Sequence, residues 1–302
     1  MKNKVVIIGC GNVGMSYAYS LLNQKTAVQE LVLIDINYEK TVGEAMDLNH
    51  GLPYSPSKIN IKAGDYSDCT DAKIVMIAAG RNQEVGESRL DLIDKNKIVF
   101  KDIIDKVVKS GFQGFFIIAT NPVDIMTYIT WKYSGFPNEK VIGTGTTLDS
   151  ARLRYEIGTK LKINPKNIHA YVIGEHGDSE LVSWSTVTVG LSNINDFLSK
   201  KEMTDIEDKV RNMAYDIIKK KGNTSYGIGM ALTRITNAIL NNEDAILTIS
   251  SYDKENNLFI GYPTLINNSG AIKRLPFPLT DEEQEKYNLS IKLLKDVINK
   301  IK

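Results

Sequence analysis

The sequence predicts an α/β fold: a doubly wound parallel sheet over residues 1–144, then a second α+β domain over residues 145–302. Three observations carry this. Apolar runs of four or five residues alternate with stretches of helical periodicity up to about residue 144, the rhythm of strands joined by right-handed crossover helices. A glycine cluster separates the first apolar run from the first helix. Beyond residue 145 strands and helices fall in blocks.

The first run organises the rest. Val5-Val6-Ile7-Ile8 is apolar and uncharged, as a buried central strand requires. Gly9-Cys10-Gly11-Asn12-Val13-Gly14 follows, with glycines in the order Gly-x-Gly-x-x-Gly. Gly9 permits a tight turn, Gly11 lets backbone approach a pyrophosphate, and Gly14 lets the next helix pack close to the strand. That helix offers free N–H groups and the positive end of its dipole to phosphate. A second strand, Leu31-Val32-Leu33-Ile34, ends in Asp35, 21 residues after Gly14, where a carboxylate can accept hydrogen bonds from an adenosine ribose. Strand, turn, helix, strand and acid together predict a Rossmann-type dinucleotide site. A tight turn and a surface aspartate are the plainer alternative. Asp35 favours NAD over NADP, whose 2′-phosphate would meet a like charge.

The remaining elements follow in order. Residues 37–50 read as a helix and 52–57 as a loop. Strands are expected at about 59–62 and 74–79. The polar stretch from Gly80 to Ser88 contains Gly86 and reads as a loop. Apolar residues then return at helical spacing over 89–110. Phe115 to Ala119 is another buried strand, closed by the turn Thr120-Asn121-Pro122-Val123. A helix over 124–133 and a strand over 140–142 complete this half. Ligands of such sheets bind outside the carboxyl ends of the strands, where Asp35, Gly80 and the Thr120–Asn121 turn fall. In the second half, helices are expected over 148–160, 202–220, 224–240 and 281–301. Strands are expected over 168–173, 184–189, 245–250 and 258–260.

Composition bounds the partners. The chain is 42% hydrophobic and 24% charged, with 37 basic and 36 acidic residues. A net charge of +1 gives no global field for nucleic acid or membrane. The two cysteines, Cys10 and Cys69, do not suggest a disulfide, since one sits inside the glycine turn; a reducing compartment follows. No signal peptide precedes the first strand and no apolar run reaches membrane-span length, so a cytoplasmic location is expected. No residue spacing suggests a metal site.

Few residues can do chemistry. Of three histidines, His176 stands out in Ile173-Gly174-Glu175-His176-Gly177-Asp178-Ser179, after an apolar run and between glycines that allow close approach. The residues alone leave two readings open, a ligand-facing group or a turn histidine satisfied by backbone. Asp149 and Arg152 lie three apart on one helix and share a face. A carboxylate beside a histidine fixes its tautomer, and an arginine can grip a carboxylate with two parallel hydrogen bonds. A solvated ion pair is the other reading. Arg89 follows the polar loop and either closes with it or is a helix-surface charge.

Several blocks resemble the L-lactate dehydrogenase family. They are Asp149-Ser150-Ala151-Arg152, Gly174-Glu175-His176-Gly177-Asp178, Arg81 through Arg89, and Lys221-Gly222-Asn223-Thr224-Ser225-Tyr226-Gly227-Ile228. Ala119 through Asp124 and Met46 through Gly51 are similar to the same family. The blocks occur in family order from residue 5 to about 250, and residues 251–279 resemble it least. The resemblance implies NAD as cofactor and pyruvate and L-lactate as substrates. It implies His176 as proton donor and acceptor, Asp149 as its orienting group and Arg152 as the anchor of the substrate carboxylate. It casts Arg89 as the group that polarises the ketone on loop closure. Asn121 would touch substrate or nicotinamide, Thr224 would border the substrate side chain, and Ile228 would pack on the nicotinamide. Gln83 is the expected selector: malate dehydrogenases carry arginine there to pair a second carboxylate, and a neutral residue leaves that carboxylate unpaired. A dehydrogenase of larger branched 2-hydroxy acids and a non-catalytic NAD-binding protein are the remaining alternatives.

A second arginine–histidine pair lies outside this set. Arg154 is two residues past Arg152, about 200° around the helix. His169 precedes His176 by seven residues, up to ~23 Å away if the chain between is extended. Read alone, these are two surface cations. The resemblance to bacterial enzymes activated by fructose 1,6-bisphosphate implies an effector site at Arg154 and His169 in a homotetramer built from dimers.

Overall fold

The computed structural model describes residues 2–81 and 89–301, and for residues 89 and 90 the backbone only. In order, the first half comprises β1 (Lys4–Ile8), α1 (Asn12–Asn23), β2 (Glu30–Ile34), α2 (Tyr38–Gly51), β3 (Asn60–Ala63), β4 (Ile74–Ile77), α3 (Arg89–Lys109), β5 (Phe115–Ile118), α4 (Val123–Ser134) and β6 (Val141–Gly143). The second half comprises α5 (Thr147–Leu161), β7 (Ile168–His169), β8 (Val172–Ile173), β9 (Leu181–Val182), β10 (Thr188–Val189), β11 (Ser192–Asn193), α6 (Lys200–Lys221), α7 (Tyr226–Leu240), β12 (Ala245–Asp253), β13 (Leu258–Asn267), β14 (Gly270–Arg274) and α8 (Asp281–Ile301).

The six strands of the first half are parallel in the order β3-β2-β1-β4-β5-β6. This is the doubly wound order with its switch point between β1 and β4. Both faces of the sheet are covered, so its strands are apolar throughout rather than alternating with polar residues. Val6 and Ile8 of β1 join a core beneath α3, α4 and α8. Val5 and Ile7 join a second core beneath α1, α2 and α7, the period-two consequence of the pleat. A third core, around Leu153, Ile168, Val187 and Met203, belongs to the second half.

The two halves share one sheet. β12, β13 and β14 extend it antiparallel beyond β6, with Ser250 paired to Gly143. They also share a helix contact. Gly229 of α7 sits against the Ser16 backbone of α1, where a Cβ would come within 2.7 Å of the Ser16 carbonyl. Beside it the Tyr17 and Thr236 hydroxyls bond at 2.5 Å.

Three expectations need correction. Residues 168–173 are not one strand: β7 pairs with β10, whereas β8 pairs with β9 in another sheet. The break falls where side chains take over the backbone, as the Ala170 carbonyl accepts from Arg154 Nε at 3.1 Å and the Val172 N–H donates to Ser150 Oγ at 2.9 Å. His169 and His176 are therefore not joined by an extended run. The expected strand over 184–189 is a 3₁₀ turn, Trp184–Thr186, followed by β10. Ser183 drives this, its carbonyl accepting from both the Thr186 N–H and hydroxyl. Finally, β13 is longer than expected, and β14 has no counterpart in the expectation.

Candidate active site

The glycine turn forms as its spacing requires. Gly9 has φ +102°, a left-handed conformation that side chains rarely adopt. A Cβ on Gly14 would collide with the Gly9 carbonyl oxygen. Gly11 has nothing within 4 Å of where its Cβ would stand, and no side chain caps α1. The turn thus presents open backbone and uncapped N–H groups of Asn12, Val13 and Gly14, which fits a dinucleotide pyrophosphate. Asp35 lies at the end of β2 and accepts from the Cys10 N–H at 2.7 Å and the Asn37 N–H at 3.1 Å. It is half-buried beside the turn, where a ribose would sit. Gly80 packs against Thr120, whose Cγ2 would lie 2.6 Å from an added Cβ; the Thr120 hydroxyl donates to the Ala79 carbonyl at 2.7 Å. The peptide between Asn121 and Pro122 is cis.

Further along this edge lies a cavity of about 570 Å³. Asn121, Asp149, Arg152, His176, Thr224 and Ile228 line it, with Val13 from the glycine turn. A larger recess of about 740 Å³ runs from the glycine turn at Gly11 and Asn12 along α1 and α7. The smaller one gathers Asp149, His176 and Glu180, acid–base groups with shifted affinities for protons, and that marks it as the candidate for chemistry.

Asp149 is the hub. Its side chain is 2% exposed. One oxygen accepts from Arg152 at 2.9 Å, and the other bonds His176 Nδ1 at 2.7 Å. Arg152 also points toward the Thr224 hydroxyl at 3.5 Å. The Asp149–Arg152 pair is therefore not a solvated ion pair, and His176 is not a turn residue satisfied by backbone. Burial alone would push the Asp149 carboxyl up, but the charges and hydrogen bonds of His176 and Arg152 outweigh it and hold it low. Burial alone would push the His176 imidazole down. The Asp149 charge and hydrogen bond, helped by Glu180 and Asp124, outweigh it and raise the group to about 9. A half-buried, proton-carrying imidazole oriented through Nδ1 leaves Nε2 for the cavity.

Two carboxyl groups here had no assigned role in the sequence. Asp124 is fully buried on α4 and accepts from the His176 backbone N–H at 2.8 Å and the Ser250 hydroxyl at 2.6 Å. Burial pushes it up to about 6 against those two bonds. Glu180 is also buried and lines the cavity. Asp124 stood within a block already singled out, Asn121-Pro122-Val123-Asp124, so its position was a signal. Glu180 had none, being one acid in a loop. Donor atoms of Asp149, His176 and Glu180 lie within 4.8 Å of one another, a grouping that no spacing in the sequence reveals because it joins a helix to a loop.

Other expected residues fall elsewhere. Gln83 lies outside the described residues, and so does the side chain of Arg89, whose backbone opens α3. Arg154 does not line the cavity. It is half-buried, its guanidinium 5.3 Å from the Tyr171 ring centroid. His169 is exposed on β7.

Comparison with known proteins agrees with this architecture. Residues 3–143 match the lactate/malate dehydrogenase NAD binding domain, and residues 146–302 match the lactate/malate dehydrogenase alpha/beta C-terminal domain. L-lactate dehydrogenase 2 of Bacillus cereus (strain ZK / E33L) is 50% identical over 98% of this chain and 97% of its own. The L-lactate dehydrogenase of Geobacillus sp. (strain WCH70) is 50% identical over 99% of this chain and 96% of its own. Among solved structures, the minor L-lactate dehydrogenase of Enterococcus mundtii in its ligands-bound form superposes with a TM-score of 0.97 at 43% identity, covering 100% of this chain and 99% of that one. MGS-M5, a lactate dehydrogenase from a deep-sea metagenome library, gives 0.96 at 48% identity, with 99% of each chain covered.

Proposed function

Since the chain belongs to the lactate/malate dehydrogenase family and is an NAD-dependent L-lactate dehydrogenase, we propose that pyruvate and L-lactate interconvert in the cavity around His176. The observation that carries the assignment of roles is the chain of hydrogen bonds from Arg152 through the buried Asp149 to His176. Gly9, Gly11, Asn12, Val13 and Gly14 hold the cofactor's pyrophosphate, and Asp35 holds its ribose. Gly80, Thr120, Asn121 and Ile228 border the remainder. When bound, NADH supplies the hydride, so the protein contributes binding, orientation and a proton. Asp149 fixes the His176 tautomer, and His176 gives its Nε2 proton to the keto oxygen of pyruvate and takes it back from lactate. Arg152 retains N–H donors beyond the one spent on Asp149, and these anchor the substrate carboxylate. Arg89 stabilises the developing alkoxide, and Thr224 bounds the methyl side of the pocket. Gln83 excludes dicarboxylates by offering them no cation.

The decisive assay follows NADH consumption with pyruvate, oxaloacetate and 2-ketoisocaproate. Pyruvate is the preferred substrate. Preference for oxaloacetate sinks the role given to Gln83, and preference for the branched acid sinks the small pocket.

The effector reading belongs here too. Arg154 spends Nε on the carbonyl of Ala170, one residue past the exposed His169, and its terminal amino groups make no other hydrogen bond among the described residues. We assign this pair to fructose 1,6-bisphosphate, bound across subunits of a homotetramer. Exposed apolar residues on α1 and α7, namely Tyr19, Tyr226 and Met230, support assembly through that face. The buried free thiols of Cys10 and Cys69 suit the reducing cytoplasm.

A further inference from the structure

Among the described residues, three carboxyl groups surround His176, and only two have an evident task. Asp149 holds the ring and Asp124 holds the backbone. Glu180 does neither. It is 8% exposed, lines the same cavity, and reaches within 4.8 Å of both the Asp149 carboxylate and the His176 ring. The His176–Glu180 segment closes back on itself through a bond from the Glu180 N–H to the Gly177 carbonyl at 3.2 Å. That curl brings an acid four residues on to the imidazole.

We propose that Glu180 is a positioning residue for the proton on His176: once ionised, its carboxylate keeps the imidazolium charged and carries pyruvate reduction to more alkaline pH than Asp149 alone would allow. The inference rests on His176 being the proton donor.

The surrounding charges support it. Asp149 carries its charge throughout, but Arg152 on the same helix offsets part of it. Burial and the Asp149 charge push Glu180 up to about 8, against His176, Arg152 of α5 and Arg211 of α6. Asp124 of α4 adds to the field at His176 from behind. Near neutral pH Glu180 is therefore protonated and sets no negative charge beside an incoming carboxylate. As pH rises toward the point where His176 would lose its proton, Glu180 ionises and opposes that loss. A neutral group in its place would give no such support.

The test uses the full-length enzyme with ¹³C-labelled histidine, of which it has three. The signal missing from His176→Asn identifies His176, and its titration is compared in wild type and Glu180→Gln. The His176 midpoint falls by about one pH unit in Glu180→Gln, a tenfold loss of imidazolium at a fixed alkaline pH. The alkaline limb of kcat/KM for pyruvate moves down with it. Glu180→Asp, which keeps a carboxylate, recovers part of the shift. An unmoved His176 midpoint overturns the proposal, even if turnover drops, because a drop alone means Glu180 only shapes the loop. Carboxyl-labelled glutamate in the wild-type enzyme gives a reading that needs no folded variant. If no glutamate titrates above the ordinary carboxylate range there, the proposal also falls. Full activity in His176→Asn would instead remove the proton-donor assignment itself.

Discussion

Asp149 concentrates the site because its two oxygens serve two different tasks. Replacing His176 by Asn removes the proton donor but leaves the glycine turn untouched. NADH should still bind, with turnover reduced by roughly 10²–10⁴-fold, the usual contribution of one acid–base group. Normal turnover would exclude His176 from the reaction. Arg152→Lys keeps the charge but loses the planar fork. Pyruvate KM should rise by about 10–100-fold, the equivalent of one charge-assisted hydrogen bond, and an unchanged KM would move the substrate anchor elsewhere. The pH behaviour has a definite sign. Reduction needs the imidazolium and oxidation needs the neutral ring. With His176 at about 9 in the ligand-free enzyme, kcat/KM for pyruvate should hold level below that pH and fall above it. The same parameter for lactate should rise toward it. At this scale the sequence was informative where partners share a helix, as with Asp149 and Arg152. It was silent where a residue acts through the fold, as Glu180 does.

Among the elements, α4, β12 and the His176 turn meet at Asp124. Its carboxyl joins Ser250 to the His176 backbone, so Asp124→Ala would leave a buried N–H and a buried hydroxyl without an acceptor. Each orphan costs about 1–3 kcal/mol, and loss of turnover should accompany the loss of stability seen in denaturant unfolding. Asp124→Asn isolates the charge. Asp124 has a raised affinity for its proton when folded, to about 6, so the folded state binds more protons than the unfolded one between about pH 4 and pH 6. Wild type should lose stability relative to Asp124→Asn as pH rises through that window. A constant difference would mean that the carboxyl does not titrate there. Gly14→Ala tests the glycine turn in the same way. The new methyl meets the Gly9 carbonyl, and overpacking of this kind costs about 1–3 kcal/mol; NADH affinity should fall with it. The parallel strands and all the long helices were legible because their apolar periods are uninterrupted. The pieces between residues 168 and 193 were not, because side chains such as Ser150, Arg154 and Thr186 take backbone bonds that a periodicity argument assigns to strands.

For the whole molecule, the effector site proposed at Arg154 and His169 requires a path to the cavity. Arg154 and Arg152 share α5, and β7 is two residues from β8, whose end leads through Gly174 to His176. Gly174 in turn pairs with Gly261 of β13, with N–H to carbonyl distances of 2.9 and 3.0 Å. α5 and the broken chain from β7 through β8 therefore link the proposed effector site to the cavity. An anion gathered at Arg154 and His169 would act on elements next to Asp149, Arg152 and His176. With a net charge of +1 the protein has no general attraction for anions, so any response to a bisphosphate has to come from such a local site. A ligand shifts an equilibrium only through its different affinity for the two states. In the proposed tetramer, a bisphosphate bound between two facing copies of the site would offset the mutual repulsion of their Arg154 guanidinium groups, and so would favour the arrangement with the subunits drawn together. Fructose 1,6-bisphosphate should accordingly lower the pyruvate concentration needed for half-saturation by roughly fivefold or more, the ordinary range of allosteric coupling. Arg154→Gln should saturate with pyruvate as wild type does without effector, and should no longer respond. Reciprocity requires that pyruvate analogues tighten effector binding by the same factor. An identical wild-type pyruvate curve with and without the bisphosphate would refute the effector site and leave the chemistry at His176 untouched. A response retained in Arg154→Gln would move the site to other cations.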